Sequence, residues 1–84
     1  MTKELRQLRR IILNSALSGT EVRIYFFLLE RRETATNISE TLEIPLVSVL
    51  KSIKKLRSLG LVAQVDTVGR AKILTAVLRD QSNN

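Results

Sequence analysis

The chain has neither cysteine nor histidine among its 84 residues. That double absence removes disulfide frameworks, thiol chemistry, most zinc sites and the usual Ser-His or Cys-His nucleophile pairs. Tryptophan is missing too. One proline and three glycines leave few places where the backbone can turn sharply. No apolar run approaches the roughly 18 residues of a membrane span, and residues 1–17 are too charged for a secretory leader. The expectation is a cytoplasmic protein. Acidic residues are scarce as well: 8 Asp and Glu stand against 14 Lys and Arg, a formal net charge of +6. A balance this basic favours a polyanionic partner, either nucleic acid or an anionic membrane. Neither a carboxylate pair nor a glycine-rich phosphate loop is present, so catalysis is the least favoured class and no cofactor is expected.

What is present suits one domain spanning residues 1–84. At 44% hydrophobic it can bury a single small core, and a second copy would relieve that shortage. Residues 2–17 have a helical period: Leu5, Leu8, Ile12 and Ala16 recur at i, i+3/i+4, while Lys3, Arg6, Arg9 and Arg10 crowd the polar side. The stripe suits core packing, dimerisation or a membrane surface. Its width favours a helix that packs on its own domain and on a second copy, with Leu5, Leu8, Ile12 and Ala16 at the dimer interface. It carries no aromatic anchor, and no membrane partner is expected.

Ser18 and Glu21 have the S-x-x-E spacing of a capping box, and the spacing predicts a helix over about 19–32. All three aromatics, Tyr25, Phe26 and Phe27, lie in it and read as core. Thr34-Ala35-Thr36 is β-prone, enough for a single bridge to a later hairpin. Asn37, with Glu40 three residues on, reads as the cap of a short helix that points Ile38 and Leu42 inward. Glu43-Ile44 reads as a turn and Pro45 as the first residue of the next helix.

From Pro45 to Leu59, Val49, Ile53 and Leu56 make one narrow apolar face, with Leu46 at its edge. Val47, Lys51, Lys54 and Ser58 lie opposite, Ser48 and Lys55 to one flank, and Leu50 between the faces. Lys51, Lys54, Lys55 and Arg57 put four cations in seven residues with no acid among them. An ordinary solvated helix face mixes both signs, so this one reads as facing nucleic acid. Gly60 suits a left-handed helix end. Residues 61–66 and 71–77, separated by a turn bearing Gly69 and Arg70, read as a hairpin. For 74–79 a short helix competes with the strand. Residues 79–84 read as a flexible tail.

Helix, short helix, turn, basic helix, glycine and hairpin is the order of the winged helix-turn-helix, here with an extra N-terminal helix: mainly α with a small β-hairpin. The segment LSGTEVRIYFFLLERRETATNISETLEIPLVSVLKSIKKLRSLGLV resembles the core of the TrmB-like and MarR-like regulators. The resemblance rests on the capped S-x-x-E-V start, Tyr25 with Leu28-Leu29, the TA-x-x-I-x-E-x-L-x-IP run, V-x-x-x-I-x-x-L and the closing LGLV. It covers about residues 17–77.

The resemblance implies a repressor-like regulator that binds double-stranded DNA in a sequence-specific way, as the homodimer expected from the small core and the N-terminal stripe. Helix 45–59 would enter the major groove, and the 61–77 wing would lie on the flanking backbone or minor groove. Val47, Ser48 and Lys51 would approach base edges and Lys54 and Lys55 phosphates. Arg70 and Lys72 would serve the wing, and the start of the short helix at Thr36 and Asn37 would donate to a phosphate. The family often carries Arg, Ser or Thr where this chain has Pro45, Leu46 and Val47, so the reading surface is unusually apolar. The chain ends after the wing, and no small-molecule effector is expected. Two other readings stand beside this one. One is a winged-helix module that docks a protein through Leu46, Val47 and Leu50. The other is a sequence-tolerant architectural DNA binder.

Overall fold

The computed structural model describes residues 5–7, 9–10 and 17–78. Helix α1 (Gly19–Glu30), α2 (Ala35–Leu42) and α3 (Leu46–Ser58) precede an antiparallel hairpin of β1 (Val62–Val68) and β2 (Ala71–Ala76). An N-terminal helical stretch comes first, with residues 5–7 and 9–10 helical and Leu5 exposed. Leu8, Ile12 and Ala16 of the expected dimer stripe lie outside the described residues, as does the expected tail. Among the described residues, no helix is long and apolar enough to cross a membrane.

The core lies where the three helices meet the base of the hairpin. Ile24, Tyr25 and Leu28 enter from α1, Ile38 from α2, and Val49, Ile53 and Leu56 from α3. Leu61, Val62 and Leu74 close it from the hairpin side, and Ile44 from the turn between α2 and α3. Each such side chain contributes roughly 1.5–3 kcal/mol on burial, enough to outweigh the few tenths separating helix propensities. The one polar atom that the deepest aromatic brings in is matched: the Tyr25 hydroxyl donates to the Val77 carbonyl at 2.8 Å. Burial also pushes the Tyr25 hydroxyl pKa up, so it stays a donor. The aromatic run divides, however. Tyr25 is core and Phe27 is half-buried with the Arg31 guanidinium 5.5 Å from its ring centre, but Phe26 is exposed. Three consecutive helical positions span about 200° of the cylinder, more than one core can cover.

The capping box forms as the spacing predicts: the Ser18 amide donates to Glu21 Oε1 at 2.8 Å and the Glu21 amide to Ser18 Oγ at 3.3 Å. The helix stops at Glu30, two residues early, where Arg31 turns extended. That extension lets Glu33 exchange two backbone hydrogen bonds with Leu74, at 3.0 and 2.9 Å, making the single bridge one residue before the expected stretch. Thr34, not Asn37, caps α2, its hydroxyl accepting from the Asn37 amide at 3.2 Å. Both residue types cap well, and the bridge at Glu33 selects the earlier one. Pro45 stands one place before the first residue of α3 instead of occupying it.

The turn between α2 and α3 is tight. Glu43 takes the left-handed conformation (φ 56°), held by the Ile44 amide on the Ser39 carbonyl (3.1 Å) and the Ser39 hydroxyl on the Ile44 carbonyl (2.6 Å). At the far end of α3, Gly60 (φ 77°) closes a Schellman motif. The Leu61 amide reaches the Leu56 carbonyl at 2.9 Å and the Gly60 amide the Arg57 carbonyl at 3.0 Å. Leu61 and Leu56, both buried, supply the apolar contact that accompanies such a cap. The chain therefore leaves α3 straight into β1. The strand reading prevails for residues 74–76. The strands pair Val62 with Ala76 through Val68 with Ala71, with a bulge between Gln64 and Asp66. Gly69 (φ 62°) takes the first place of the two-residue loop, the place a type II′ turn reserves for glycine.

Candidate nucleic-acid interface

The buried face of α3 determines what its other face offers. With Val49, Ser52, Ile53 and Leu56 inward, Val47, Leu50, Lys51 and Lys54 are left outward. The α2–α3 turn holds the two helices of the motif at a fixed angle. The Glu33–Leu74 bridge brings the hairpin alongside the start of α2. An open cleft of about 490 Å³ results. Thr34, Ala35 and Thr36 line it from α2 and its cap, Leu50, Ile53, Lys54 and Arg57 from α3, and Arg70, Ala71, Lys72 and Leu74 from the wing. Among the described residues, four cations and no acid line this cleft.

The expected contact residues fall into three groups. Thr36, Lys54, Arg70 and Lys72 meet in the cleft. Val47, Ser48 and Lys51 sit on the first turns of α3 outside it, Val47 77% exposed and Ser48 half-buried. Lys55 and Asn37 are engaged elsewhere. The Lys55 ammonium lies 3.2 Å from Glu21, on the flank of α3 that faces the start of α1. The Asn37 amide proton goes to Thr34 and its side-chain nitrogen to Glu33 Oε2 at 2.7 Å. The amides at the α2 start that lack a partner within the helix are those of Ala35 and Thr36, and these are the ones open to an anion. Arg57, outside the expected contact set, belongs to the cleft. Its signal in the sequence is the i+3 step from Lys54 on one helix.

Electrostatics support the division. Burial pushes the Glu21 carboxyl up, but the Ser18 amide and the Lys55 ammonium together hold it below the ordinary glutamate pKa. That pair ties α3 to the start of α1, and neither residue lines the cleft. Among the described residues, no ion pair engages Lys51, Lys54, Arg57, Arg70 or Lys72. Their charges are directed to solvent and, by Coulomb attraction, to any polyanion that enters.

Helix, turn, exposed basic helix, bridge and wing together define a winged helix-turn-helix. Solved structures agree on that fold. The adhesin competence repressor AdcR of Streptococcus pyogenes superposes with a TM-score of 0.70 at 27% identity, over 89% of this chain and 60% of AdcR. A mutant of ZitR from Lactococcus lactis gives 0.69 at 22% identity, over 87% of this chain and 60% of that one. The chain thus spans 60% of the length of either neighbour.

Comparison with curated proteins finds no match. The model of one sequence family, described as "Sugar-specific transcriptional regulator TrmB", matches residues 15–78. The chain belongs to this TrmB family of winged-helix transcriptional regulators. The resemblance read from the sequence is borne out, and the matching family and the AdcR neighbour are described as transcriptional regulators or repressors, not as enzymes.

Proposed function

We propose that this protein is a sequence-specific double-stranded DNA-binding regulator acting as a homodimer in the cytoplasm, and that it represses by occupying a promoter. One observation carries the reading: the start of α2, the outward face of α3 and the wing meet in one cleft with Lys54, Arg57, Arg70 and Lys72 and, among the described residues, no acid. A phosphate backbone lying along this cleft neutralises those charges and releases counterions. It also brings the first turns of α3, with Val47, Ser48 and Lys51, to the base edges of the major groove, where such helices read sequence. Arg70 at the wing tip reaches the flanking backbone or minor groove. In a two-fold dimer formed through Leu5, Leu8, Ile12 and Ala16, the two copies of α3 enter successive major grooves, about 34–36 Å apart.

Fluorescence anisotropy on a random-sequence duplex over a salt series tests the cleft. Lys54→Ala with Arg70→Ala should weaken binding and flatten the log–log salt slope by roughly 1.8, two phosphates at about 0.9 each. An unchanged affinity and slope in the double variant would remove the cleft from the interface. The exposed Leu46, Val47 and Leu50 favour a second reading, a protein-docking module. It predicts no duplex binding at ~100 mM salt, where a site of several phosphates still binds.

A further inference from the structure

Three large apolar side chains stand in the open on the first two turns of α3: Val47 at 77% exposure, Leu50 at 51% and Leu46 at 41%. A helix that needed only solubility would place polar groups there, and elsewhere on its outward face this one does. The patch also directly adjoins the basic cleft, since Leu50 lines it beside Lys54. On the DNA-binding reading above, a duplex whose phosphates rest on Lys54, Arg57, Arg70 and Lys72 has its major groove toward the adjoining first turns of α3, where Val47 stands and where Leu50 forms the edge of the cleft. Charge complementarity selects duplex DNA as the occupant over an apolar peptide, because among the described residues four cations and no acid line the cleft.

In the major groove only one base-edge group is apolar, the C5 methyl of thymine. Val47 and Leu50 cannot accept from or donate to a base. Of their neighbours, Ser48 is half-buried and Lys51 offers a single flexible cation. We infer that α3 selects its site through thymine methyl groups, which Val47 and Leu50 cover, with Lys51 adding a donor to a neighbouring acceptor. The inference rests on the DNA-binding reading above and adds the chemical feature that is recognised. The methyl of 5-methylcytosine stands on the same ring carbon, so it is expected to be accepted as well.

The test removes or adds the methyl and nothing else. The full chain is titrated at fixed salt with alternating duplexes: poly(dA-dT) against poly(dA-dU), and poly(dG-dC) against the same polymer made with 5-methylcytosine. The methylated member of each pair should bind tighter by about fourfold for each methyl covered, the ratio set by burying one such group. Val47→Ser, at a site too exposed to affect folding and nearly neutral in helix propensity, should shrink both ratios. It should leave the thermal midpoint and the salt slope unchanged. Equal affinities within both pairs, with a normal salt slope, would overturn methyl recognition while DNA binding stands. Failure to bind any of the four polymers would overturn both.

Discussion

Helices α1 and α3 are nearly equal in length, 12 and 13 residues, and both are rich in apolar side chains. They serve opposite ends. α1 has mixed charges, a capping box at its start and the deepest aromatic of the core. α3 has cations of one sign, no side-chain cap at its start and its largest exposed apolar groups in its first turns. Capping satisfies the orphan amides of a helix start and fixes it in place. A start left uncapped, with bare apolar side chains around it, is suited to meeting something outside the chain. Local stability and exposed chemistry are thus allotted to different helices. The shared core joins them, so that α3 takes part of its rigidity from α1.

That division can be broken from either side. Leu56→Ala removes a fully buried side chain from the inward face of α3 and should cost about 2–5 kcal/mol. At roughly 4–8 °C per kcal/mol for a domain of this size, a thermal melt followed by circular dichroism would show the midpoint fall steeply. Lys54→Ala, two residues away on the outward face, should stay within about 0.5 kcal/mol of the parent. Comparable losses in the two variants would mean that the faces of α3 are not functionally separate.

A smaller effect is expected where α1 meets the wing. Tyr25→Phe keeps the ring but leaves the Val77 carbonyl without its 2.8 Å donor, a loss of about 1–3 kcal/mol. Chemical denaturation should report it as a lower midpoint with unchanged slope, since the surface exposed on unfolding is the same. The smallest effect concerns Glu21 and Lys55. The folded carboxyl titrates below the unfolded one, so its contribution is full above the unfolded value of about 4.3 and disappears as pH falls through the folded value. Lys55 is 44% exposed, which limits the pair to about 0.2–1 kcal/mol. Glu21→Gln should therefore be slightly less stable than the parent at neutral pH, with the gap closing on acidification below pH ~4. A gap that widened in acid would reverse the assigned sign.

Much of this was legible because the local signals are strong and agree. Val49, Ile53 and Leu56 repeat at the helical period, Gly60 follows where a left-handed residue is needed, and Ser18 with Glu21 leaves one geometry for a helix start. The signals failed where the deciding partner is distant in sequence. Thr34 and Asn37 are equivalent as caps until Glu33 pairs with Leu74, 41 residues on. Lys55 looks like its neighbours until Glu21, on another helix, claims it. Arg57 joins the cleft only once the wing folds back beside it. Phe26 matches its aromatic neighbours in type, and only its direction on the cylinder separates it from them.

The hairpin is mechanically uneven. Near its base, Val77 is clamped through its amide to Leu61 at 2.7 Å and through its carbonyl to Tyr25, and Leu74 is bolted to Glu33. Beyond the bulge between Gln64 and Asp66 every residue as far as Lys72 is exposed, and Arg70, Ala71 and Lys72 form the open wall of the cleft. It is a cantilever, stiff at the root and compliant past a built-in bend. Its tip can shift while the core stays packed. A force applied at the tip, in return, is delivered at the root, to α1 and to the segment that starts α2.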